Sequence, residues 1–378
     1  MKFIVNSQAL LKKLKVVGPL AGTSKSLPIL NNLLFELDKS TLYITGSDSE
    51  TTIRVSLELT DAADAGAIAI PAKTLIDLLN LLPDIPVSFL INEETCEISI
   101  TAGKGNYTLM GEKTDFFPIM SFDNEVVSAE YSPEAVVDGI QRTVFATSDD
   151  ELRPSMCGVK FELHPNSLDF VSTNAHVLVK YSRIDQKGST EADFIVHKKS
   201  LNTVKNVLSE YMKQEGIVVK LSLNDKNVKF TLPEPNVSIV CRLIDGKFPN
   251  YNNIIPQNNT NILVVNKDEI KRTIARVSVF SEKSTGLIKF TVQGQEMTIR
   301  SEARDFGQAA NDKIACNYEG EGMEIGFNAS FLSNMLNSLD SEEVRFELKD
   351  EKSSALIFPV EKVENEDVLM LIMPLMTN

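Results

Sequence analysis

Apolar and polar residues follow one another along this chain in a pattern that changes its period several times and then repeats. Segments with apolar residues every three or four positions are followed by segments that alternate apolar and polar residues, and this order occurs three times. A period near 3.6 predicts an amphipathic helix, and a period of two predicts a half-buried strand. The chain is therefore predicted to contain three copies of one α+β unit of about 125 residues.

Each copy opens with an amphipathic helix behind a polar residue, and a second helix lies near its middle. Ser132 followed by Pro133 is a strong helix start, because proline at the first helical position loses no hydrogen bond that the helix needs. The second helices of successive copies begin 126 and 131 residues apart. The six predicted helices span residues 8–17, 72–82, 132–147, 198–212, 267–280 and 328–338.

Two alternating segments follow the opening helix in each copy. Their two-residue period and β-branched residues predict half-buried antiparallel strands. Each copy closes on a proline behind an apolar residue, at Phe117-Pro118, Phe248-Pro249 and Met373-Pro374. The predicted strands are 32–37 and 42–45 in the first copy, 158–163 and 168–171 in the second, and 287–292 and 297–300 in the third.

The repeat and the polar stretches between its copies predict the domain organisation. These stretches lie around residues 121–128 and 257–261. We therefore expect three α+β domains at residues 1–122, 123–256 and 257–378, each an antiparallel sheet with two helices on one face. A chain of 378 residues is long enough for three domains of ordinary size.

Composition and cysteine usage are those of an ordinary globular protein. The chain is 43% hydrophobic and has no tryptophan, which is well away from the disordered class. The N-terminal residues lack the apolar core of a signal peptide, and the longest apolar run, residues 368–376, is too short to cross a bilayer. We therefore expect a cytoplasmic location. Neither structural zinc nor a disulfide framework is expected from the four well-separated cysteines, Cys96, Cys157, Cys241 and Cys316.

Charge is distributed unevenly between the predicted helices and the rest of the chain. The net charge of −14, taken alone, argues against nucleic-acid binding, which depends on basic surface. The six predicted helices nevertheless contain twelve basic and six acidic residues, so they carry +6 and the remainder carries −20. Such segregation fits helices that share one surface facing a polyanion. The alternative is that these lysines are solvated and reflect helix propensity alone.

The thickness of a helix limits how many helices could enclose a duplex. Packed helices lie about 8–10 Å apart and are about 10 Å thick. Six helices in a circle would leave an opening under roughly 10 Å, whereas twelve would leave roughly 20–28 Å, enough for double-stranded DNA. A ring around DNA would therefore need two copies of this chain, joined head to tail with two-fold symmetry.

Several short motifs along the whole chain resemble one known family. They lie at residues 1–3, 27–34, 45–50, 172–176, 243–251, 323–328 and 371–375, and include the segments STNAH, LIDGKFPNY and MEIGFN. On these motifs the chain resembles the DNA polymerase III beta subunits, the bacterial sliding clamps. In that family three domains per chain form a head-to-tail dimeric ring whose helices line the hole.

The resemblance implies a function in DNA replication. The expected protein is a sliding clamp that encircles duplex DNA without sequence preference. It tethers the replicative polymerase and other DNA-processing proteins, confers processivity and has no catalysis of its own. No cofactor, metal or membrane is expected, and ATP hydrolysis belongs to the clamp loader in that family.

The family also has a hydrophobic groove between its second and third domains. It binds short linear motifs of the polymerase catalytic subunit, the clamp loader, and repair and translesion polymerases. The C-terminal apolar run suits such a site, because methionine and leucine adapt to varied partners, although the run could instead be a last buried strand. Carried over by position, the groove comprises Met156, Thr173, Ala175, His176, Val177, Leu178, Pro249, Asn253, Ile254, Leu371, Ile372, Met373, Pro374 and Leu375.

Three of these positions depart from the family pattern. Ala175 stands where the family usually has glycine, Val177 stands where it usually has arginine, and Asn253 stands where a basic residue is common. We expect these changes to alter the rim of the groove and its motif preference while leaving its apolar floor.

The resemblance and the charge pattern together indicate where DNA is contacted. Contacts to phosphates position a duplex without reading its sequence, as a sliding ring requires. A loop that presents aromatic residues to DNA in some relatives has Arg153, Pro154 and Ser155 here. The DNA-facing candidates are Lys12, Ser24, Lys25, Lys198, Lys199, Lys205, Lys271, Arg272 and Arg276.

The joint between two copies is expected where the first domain of one meets the third domain of the other. Tyr107 and Leu109 of one copy are the candidates for contact with Val279 and Phe280 of the other.

No residue spacing typical of catalysis is recognisable in the sequence. There is no phosphate-binding motif, and Gly103-Lys104-Gly105 predicts a hairpin turn. His164 precedes a proline in a predicted turn, His197 lies at a helix start, and His176 lies in a strand context that favours a groove-lining role. Two alternatives stay open: an acidic scaffold that binds peptides without enclosing DNA, and an enzyme whose site is assembled from distant residues.

Overall fold

The computed structural model describes residues 1–22, 27–188, 190–233 and 236–376. Within these ranges the chain forms six α-helices and twenty-six strands. It divides into two compact units, the first made of Met1–Pro133 and Asn206–Leu243 and the second of Glu134–Lys205 and Ile244–Asn378. No helix in the described ranges is long and apolar enough to cross a membrane.

The six predicted helices are all present, with ends that differ from the prediction by a few residues. Each has the apolar stripe that its sequence period indicated, and the stripe is buried. The helices are α1 (Ser7–Val17), α2 (Ala72–Leu81), α3 (Pro133–Thr143), α4 (Lys198–Ser209), α5 (Lys267–Ser278) and α6 (Ala329–Asn337).

Three asparagines connect a strand directly to the helix that follows it. Asn6 accepts hydrogen bonds through Oδ1 from the backbone nitrogens of Gln8 and Ala9, at 3.0 and 2.9 Å. Asn266 accepts a hydrogen bond from the backbone nitrogen of Glu269 in α5, and Asn328 accepts one from that of Phe331 in α6, both at 3.0 Å. An asparagine in this position satisfies backbone donors that the first helical turn leaves unpaired, which explains why these helices begin where they do.

The described strands pair with one another only in the antiparallel sense. The six strands expected from the sequence are all found, as β2, β3, β11, β12, β19 and β20. In chain order the strands are β1 (Lys2–Asn6), β2 (Asn32–Asp38), β3 (Thr41–Ser47), β4 (Thr51–Glu58), β5 (Asp61–Ala63), β6 (Gly66–Pro71), β7 (Pro86–Asn92), β8 (Glu97–Ala102), β9 (Gly105–Met110), β10 (Val127–Tyr131), β11 (Gly158–His164), β12 (Ser167–Thr173), β13 (Val177–Arg183), β14 (Ala192–His197), β15 (Val219–Leu223), β16 (Asn227–Leu232), β17 (Val237–Arg242), β18 (Asn261–Asn266), β19 (Leu287–Gln293), β20 (Glu296–Ala303), β21 (Gln308–Ala315), β22 (Asn317–Glu319), β23 (Met323–Asn328), β24 (Glu343–Leu348), β25 (Ala355–Pro359) and β26 (Glu366–Ile372).

The first unit contains two sheets and the helices α1 and α2. Its five-stranded sheet has the order β5-β1-β7-β8-β9, and its eight-stranded sheet has the order β10-β15-β16-β17-β4-β3-β2-β6. Helix α1 packs against α2 and against strand β4. The predicted hairpin turn at Gly103-Lys104 joins β8 to β9, with Ala102 opposite Gly105 and Gly103 at a φ of +59°.

The second unit has the same plan. Its nine-stranded sheet has the order β14-β11-β12-β13-β26-β25-β24-β18-β22, and its four-stranded sheet has the order β21-β20-β19-β23. Helices α5 and α6 pack against each other, and α5 also packs against β20 and β21. Each unit thus combines one long and one short antiparallel sheet with helices.

The α+β class and the antiparallel strands are confirmed, but the strands are grouped differently from the expectation of one sheet per domain. The strands of the central repeat are divided between the two long sheets. In the first unit β17 pairs with β4, so Val237 lies opposite Val55. In the second unit β13 pairs with β26, so Leu178 lies opposite Leu371. Neighbouring repeats are therefore joined by backbone hydrogen bonds.

The four cysteines are free thiols, as expected. Cys157 and Cys241 are buried, whereas Cys96 and Cys316 are half-buried. Burial raises the pKa of Cys157 and of Cys316 above the ordinary value for a thiol, which keeps both protonated at neutral pH.

Candidate functional site

The floor of the candidate groove is built on three adjacent strands of the nine-stranded sheet. Strand β13 pairs with β26, which places Val177 opposite Ile372 and Leu178 opposite Leu371. Strand β25 lies on the other side of β26, with Leu356 opposite Leu371. All five side chains are buried. The four groove candidates among them, Val177, Leu178, Leu371 and Ile372, are therefore core residues.

A cluster of apolar side chains connects this floor to the segment after β17. It contains Val171, Leu178, Ile195, Phe248, Tyr251, Leu356 and Leu371. The rings of Phe248 and Tyr251 meet edge to face, with centroids 6.5 Å apart. The Tyr251 hydroxyl donates a 2.7 Å hydrogen bond to Oε2 of Glu162. These contacts fix the segment on which the exposed candidates Pro249, Asn253 and Ile254 lie.

The hydroxyl of Tyr251 remains a donor over a wide pH range. Burial, and then its hydrogen bond to Glu162, raises the pKa of Tyr251 above the ordinary value for tyrosine. Glu162 is held in turn by the Lys160 ammonium group, with 2.7 Å between Nζ and Oε1. Tyr251, Glu162 and Lys160 thus form a continuous chain of polar contacts.

The turn between β12 and β13 forms the next part of the site. Asn174 accepts hydrogen bonds through Oδ1 from the backbone nitrogens of His176 and Val177, both at 3.0 Å. The Thr173 hydroxyl donates to the carbonyl oxygen of Val177 at 2.7 Å. Ala175 consequently adopts a φ of +73°, a conformation that favours glycine. The glycine that the resemblance implies for the family at this position would adopt this φ without the strain that alanine has there.

The C-terminal apolar run has two parts. Up to Ile372 it is strand β26, with Met370, Leu371 and Ile372 buried. Beyond the strand, Met373 is 43% exposed, and its backbone nitrogen donates to the carbonyl oxygen of His176 at 2.8 Å. The backbone nitrogen of Leu375 donates to the carbonyl oxygen of Gly326, also at 2.8 Å. The run is therefore a buried strand up to Ile372. From Met373 onward it is an accessible apolar edge.

One aromatic residue at this site was missed by the sequence analysis. Phe331, in the first turn of α6, stacks against the ring of His176, with centroids 5.8 Å apart and an interplanar angle of 19°. The available signal was its position three residues after Asn328, the last residue of the motif MEIGFN. His176 lies in the turn between two strands rather than within a strand, and Phe331 adds an apolar wall beside it.

The basic candidates of the second unit lie on helix surfaces opposite a buried stripe. In α4 the apolar residues Leu201, Val204 and Leu208 are buried, while Lys199 is exposed and Lys198 and Lys205 are half-buried. In α5 a buried stripe of Ile270, Thr273, Ile274 and Val277 leaves Arg272 and Arg276 exposed and Lys271 half-buried.

The first unit contributes one described candidate for DNA contact. Lys12 on α1 is exposed. Burial, and then the charge of Lys12, lowers the pKa of the neighbouring Lys13. The candidates Ser24 and Lys25 lie outside the described residues.

Two of the basic candidates are engaged by carboxylates of the same unit. Lys198 forms an ion pair with Asp149, and Arg276 donates from Nε and Nη2 to Oδ2 of Asp312, at 3.0 and 2.6 Å. These hydrogen bonds lower the pKa of Asp149 and of Asp312, so both carboxylates are ionised at neutral pH.

Arg142, counted among the basic residues of the helices, does not contribute to an exposed basic surface. Its side chain is 11% exposed. Nη1 donates to the carbonyl oxygen of Ser338 and Nη2 donates to Asp340, both at 2.7 Å, and Glu366 lies 3.4 Å from Nη2. The exposed basic charge of the helices is therefore smaller than the sequence count suggested.

The four candidates for a joint between copies lie at accessible positions of their units. Tyr107 and Leu109 belong to β9, the outer strand of the five-stranded sheet, where Tyr107 is exposed and Leu109 half-buried. Val279 and Phe280 follow directly after α5 and are 74% and 40% exposed. In the part of the chain that the structure describes, β9 and β21 each have one edge that pairs with no other strand. Such edges offer backbone groups to a second chain.

One group of residues places possible metal ligands close together. Oxygen or nitrogen atoms of Glu162, His164 and Asp169 lie within 4.8 Å of one another. Both carboxylates already pair with lysines: Lys160 lies 2.7 Å from Glu162 and Lys180 lies 2.8 Å from Asp169. The lysine ammonium groups already neutralise these two carboxylates, so this group is an ion-pair network. His164 is the last residue of β11 rather than part of a turn.

Comparison with known proteins identifies the family. Three models of the DNA polymerase III beta subunit match successive parts of the chain: the N-terminal domain at residues 1–121, the central domain at 131–250 and the C-terminal domain at 252–376. Since all three domains occur in order and leave few residues unmatched, the chain belongs to the DNA polymerase III beta subunit family.

Individual relatives match over the same extent. The beta sliding clamp of Pseudomonas aeruginosa is 28% identical over 386 residues, which covers 99% of this chain and 100% of the relative. That of Haemophilus influenzae is 27% identical over 379 residues, with the same coverage. A crystal structure of the DNA polymerase sliding clamp from Pseudomonas aeruginosa superposes with a TM-score of 0.92 at 26% identity and covers 100% of both chains.

Proposed function

We propose that this protein is a DNA sliding clamp that encircles duplex DNA and tethers the replicative polymerase, so that synthesis becomes processive. The observation that carries this proposal is the similarity to beta sliding clamps along the full length of the chain, in both sequence and fold. The protein would act by enclosing and holding its partners in the cytoplasm, with no reaction of its own.

The duplex would be contacted through its phosphates by basic residues on the helices. Phosphate contacts are independent of base sequence, so they let a ring move along DNA. The exposure of Lys12, Lys199, Arg272 and Arg276 supports this assignment. The full proposed set is Lys12, Ser24, Lys25, Lys198, Lys199, Lys205, Lys271, Arg272 and Arg276.

The proposed ring contains two copies of the chain joined head to tail. Each copy would contribute three domains, at residues 1–122, 123–256 and 257–378, so that twelve helices surround the duplex. At each joint Tyr107 and Leu109 of one copy would meet Val279 and Phe280 of the other. Support comes from the exposed apolar surface at these residues and from the unpaired edges of β9 and β21, which could extend one sheet from copy to copy.

The groove would bind short linear motifs of the polymerase, the clamp loader, and repair and translesion polymerases. Its buried floor is Thr173, Val177, Leu178, Leu371 and Ile372, with Met156 also buried. The groove candidates that are exposed or half-buried would contact the peptide, together with the half-buried Phe331. A peptide with two or three apolar anchors fits such a surface. The contacting set is Ala175, His176, Pro249, Asn253, Ile254, Met373, Pro374, Leu375 and Phe331.

Retention on circular DNA is the decisive test of a topological clamp. The protein would be loaded onto a nicked plasmid by a bacterial clamp loader with ATP and separated from free protein by gel filtration. A ring stays on the circle and leaves when the plasmid is linearised, and free protein should elute near twice the chain mass of 41.9 kDa. Equal retention on both forms of DNA would show ordinary binding and contradict the proposal.

A further inference from the structure

The loop between α3 and β11 holds an acidic side chain against one of the proposed DNA-facing lysines. Nζ of Lys198 donates to the carbonyl oxygen of Ser148 at 2.9 Å and forms an ion pair with the Asp149 carboxylate. The Asp149 side chain is 96% exposed and the Lys198 side chain is 26% exposed. The carboxylate therefore lies fully at the surface, and the lysine is partly open to solvent.

The backbone of this loop determines where Asp149 lies. The nitrogen of Ser148 donates to the carbonyl oxygen of Met156 at 2.8 Å and closes the loop. The carbonyl oxygen of Asp150 accepts from the nitrogen of Arg153 at 2.9 Å and from Sγ of Cys157 at 3.3 Å. These hydrogen bonds hold the loop backbone on both sides of Asp149, so the residue is kept within reach of Lys198.

A second proposed DNA-facing residue has the same kind of partner. Arg276 on α5 donates from Nε and Nη2 to Oδ2 of Asp312, and Nη2 also donates to the Thr273 hydroxyl at 3.0 Å. Asp312 lies in the middle of β21, opposite Ile299, and α5 packs on this strand. The arginine is 59% exposed and the aspartate 34% exposed, so this pair is also open to solvent.

We propose that Asp149 and Asp312 act as built-in counter-ions that compete with DNA phosphates for Lys198 and Arg276. This inference rests on the proposed function, in which these two cations face the duplex. A phosphate oxygen can replace the carboxylate at either cation, because an ion pair that is open to solvent is weak. The competition weakens each phosphate contact, so that the ring is held on DNA by topology and moves along it easily.

The dependence of DNA binding on salt distinguishes this role from a structural one. The logarithm of the DNA affinity falls linearly with the logarithm of the salt concentration. The slope is about −0.9 for each phosphate that the protein neutralises. Replacing both aspartates by asparagine frees two cations per chain. We therefore expect Asp149→Asn with Asp312→Asn to steepen the slope by about 0.9, and to raise the affinity at about 0.1 M salt roughly eightfold, for each freed cation that contacts a phosphate.

The measurement uses the full chain and a short fluorescent DNA duplex, which can enter a ring from its end. Fluorescence anisotropy would be recorded over a series of NaCl concentrations. Glu215→Gln with Glu364→Gln is the matched control, because both glutamates are exposed and the charge change is again +2 per chain. An equal rise in affinity for the control would mean that only net charge matters and would overturn the inference. Thermal melting would verify that each variant is folded.

A further variant separates this inference from the proposal on which it depends. Lys198→Ala with Arg276→Ala should weaken binding and flatten the salt slope. If that variant binds DNA as wild type does, the two cations do not face DNA, and both the assignment and the inference fail. If it binds more weakly while the double asparagine variant behaves like wild type, the DNA-facing assignment stands and the counter-ion role is refuted.

Discussion

The backbone nitrogen of Met373 donates a 2.8 Å hydrogen bond to the carbonyl oxygen of His176. This bond attaches the segment after the last strand to the turn between β12 and β13, while the ring of His176 stacks against Phe331 of α6. Three segments that are distant in sequence thus meet at one residue. The rim of the proposed groove would depend on all three, so we expect a change in any of them to alter peptide binding.

The first prediction concerns the residues after strand β26. A chain that ends at Ile372 loses the apolar edge formed by Met373, Pro374 and Leu375 but keeps the strand. We expect its affinity for a fluorescent polymerase-derived peptide to fall at least tenfold, or about 1.4 kcal/mol, with little change in melting temperature. Peptide binding equal to that of the full chain would contradict the groove assignment.

Removing two more residues provides the structural contrast. A chain that ends at Met370 also loses Leu371 and Ile372, which are buried and pair with neighbouring strands on both sides. Loss of a buried side chain of this size costs about 2–5 kcal/mol. This shorter chain should therefore melt at a clearly lower temperature, which shows why the boundary at Ile372 matters.

The second prediction concerns the strained alanine in the turn before β13. Ala175 has a φ of +73°, where a side chain costs on the order of 1 kcal/mol relative to glycine. Ala175→Gly should therefore raise the melting temperature by about 1–3 °C, as measured by calorimetry. As a control, Ala275→Gly on the exposed side of α5 should lower it, because glycine in a helix costs about 1 kcal/mol. A lower melting temperature for both variants would mean that the turn carries no strain.

The third prediction concerns the hydroxyl that anchors the segment after β17. Tyr251→Phe removes the 2.7 Å hydrogen bond to Glu162, at a cost of about 1 kcal/mol. Because Tyr251 anchors the segment that contains Pro249 and Ile254, we expect peptide affinity to fall severalfold as well. Isothermal titration calorimetry and thermal melting would measure the two effects.

The matched control for that variant is another tyrosine of the same unit. The Tyr318 hydroxyl donates a 2.7 Å hydrogen bond to the carbonyl oxygen of Glu321, away from the groove residues in the sheet. Tyr318→Phe should lower stability by a similar amount without changing peptide affinity. If the two variants affect peptide binding equally, the Tyr251 hydroxyl has no specific positioning role.

The fourth prediction concerns the pH dependence of stability at α3. Burial raises the pKa of Asp138 to about 6, although Arg142 opposes this effect, and Glu366 and Glu134 add to it. An acid whose pKa is raised on folding stabilises the fold at low pH, and this contribution is lost as pH rises from about 4 through about 6. Asp138→Asn should therefore melt at a higher temperature than wild type at pH 8, with a difference that disappears near pH 4.

An aspartate with the opposite shift serves as the control. The hydrogen bond from Arg183 lowers the pKa of Asp185, so its contribution is present above the unfolded pKa and is lost as pH falls. Asp185→Asn should consequently be less stable than wild type at pH 8. Melting temperatures measured from pH 4 to pH 8 would test both predicted directions. A difference between Asp138→Asn and wild type that is the same at every pH would refute the prediction for Asp138.

The helices and hairpins were predictable because their causes are local. The 3.6-residue period and the capping residues Asn6 and Asn266 determine where α1 and α5 begin, and the glycine at Gly103 allows the turn between β8 and β9. The exposed basic residues could also be anticipated, since Arg272 and Arg276 fall opposite the apolar stripe of α5. Each of these features depends on residues within a few positions of one another.

The grouping of strands was not predictable for a physical reason. A strand with one apolar face can pair with many others, and the choice depends on residues far away in sequence, as in the pairing of Val237 with Val55. The same limit applied to the candidate site, where the helix charge count included Arg142 although its side chain is largely buried, and where Phe331 was missed. The burial of Arg142 and the contact of Phe331 with His176 depend on which elements pack beside them.

By itself the sequence determined the three-fold repeat, the α+β class, the positions of the helices and the family of this protein, because periodicity, caps and short motifs are properties of neighbouring residues. Only the tertiary structure decided that the last apolar run is a buried strand followed by an accessible edge. It also decided that Lys198 and Arg276 are met by Asp149 and Asp312. Burial and ion pairing arise between residues that folding brings together, so their strengths depend on distances that no local pattern contains.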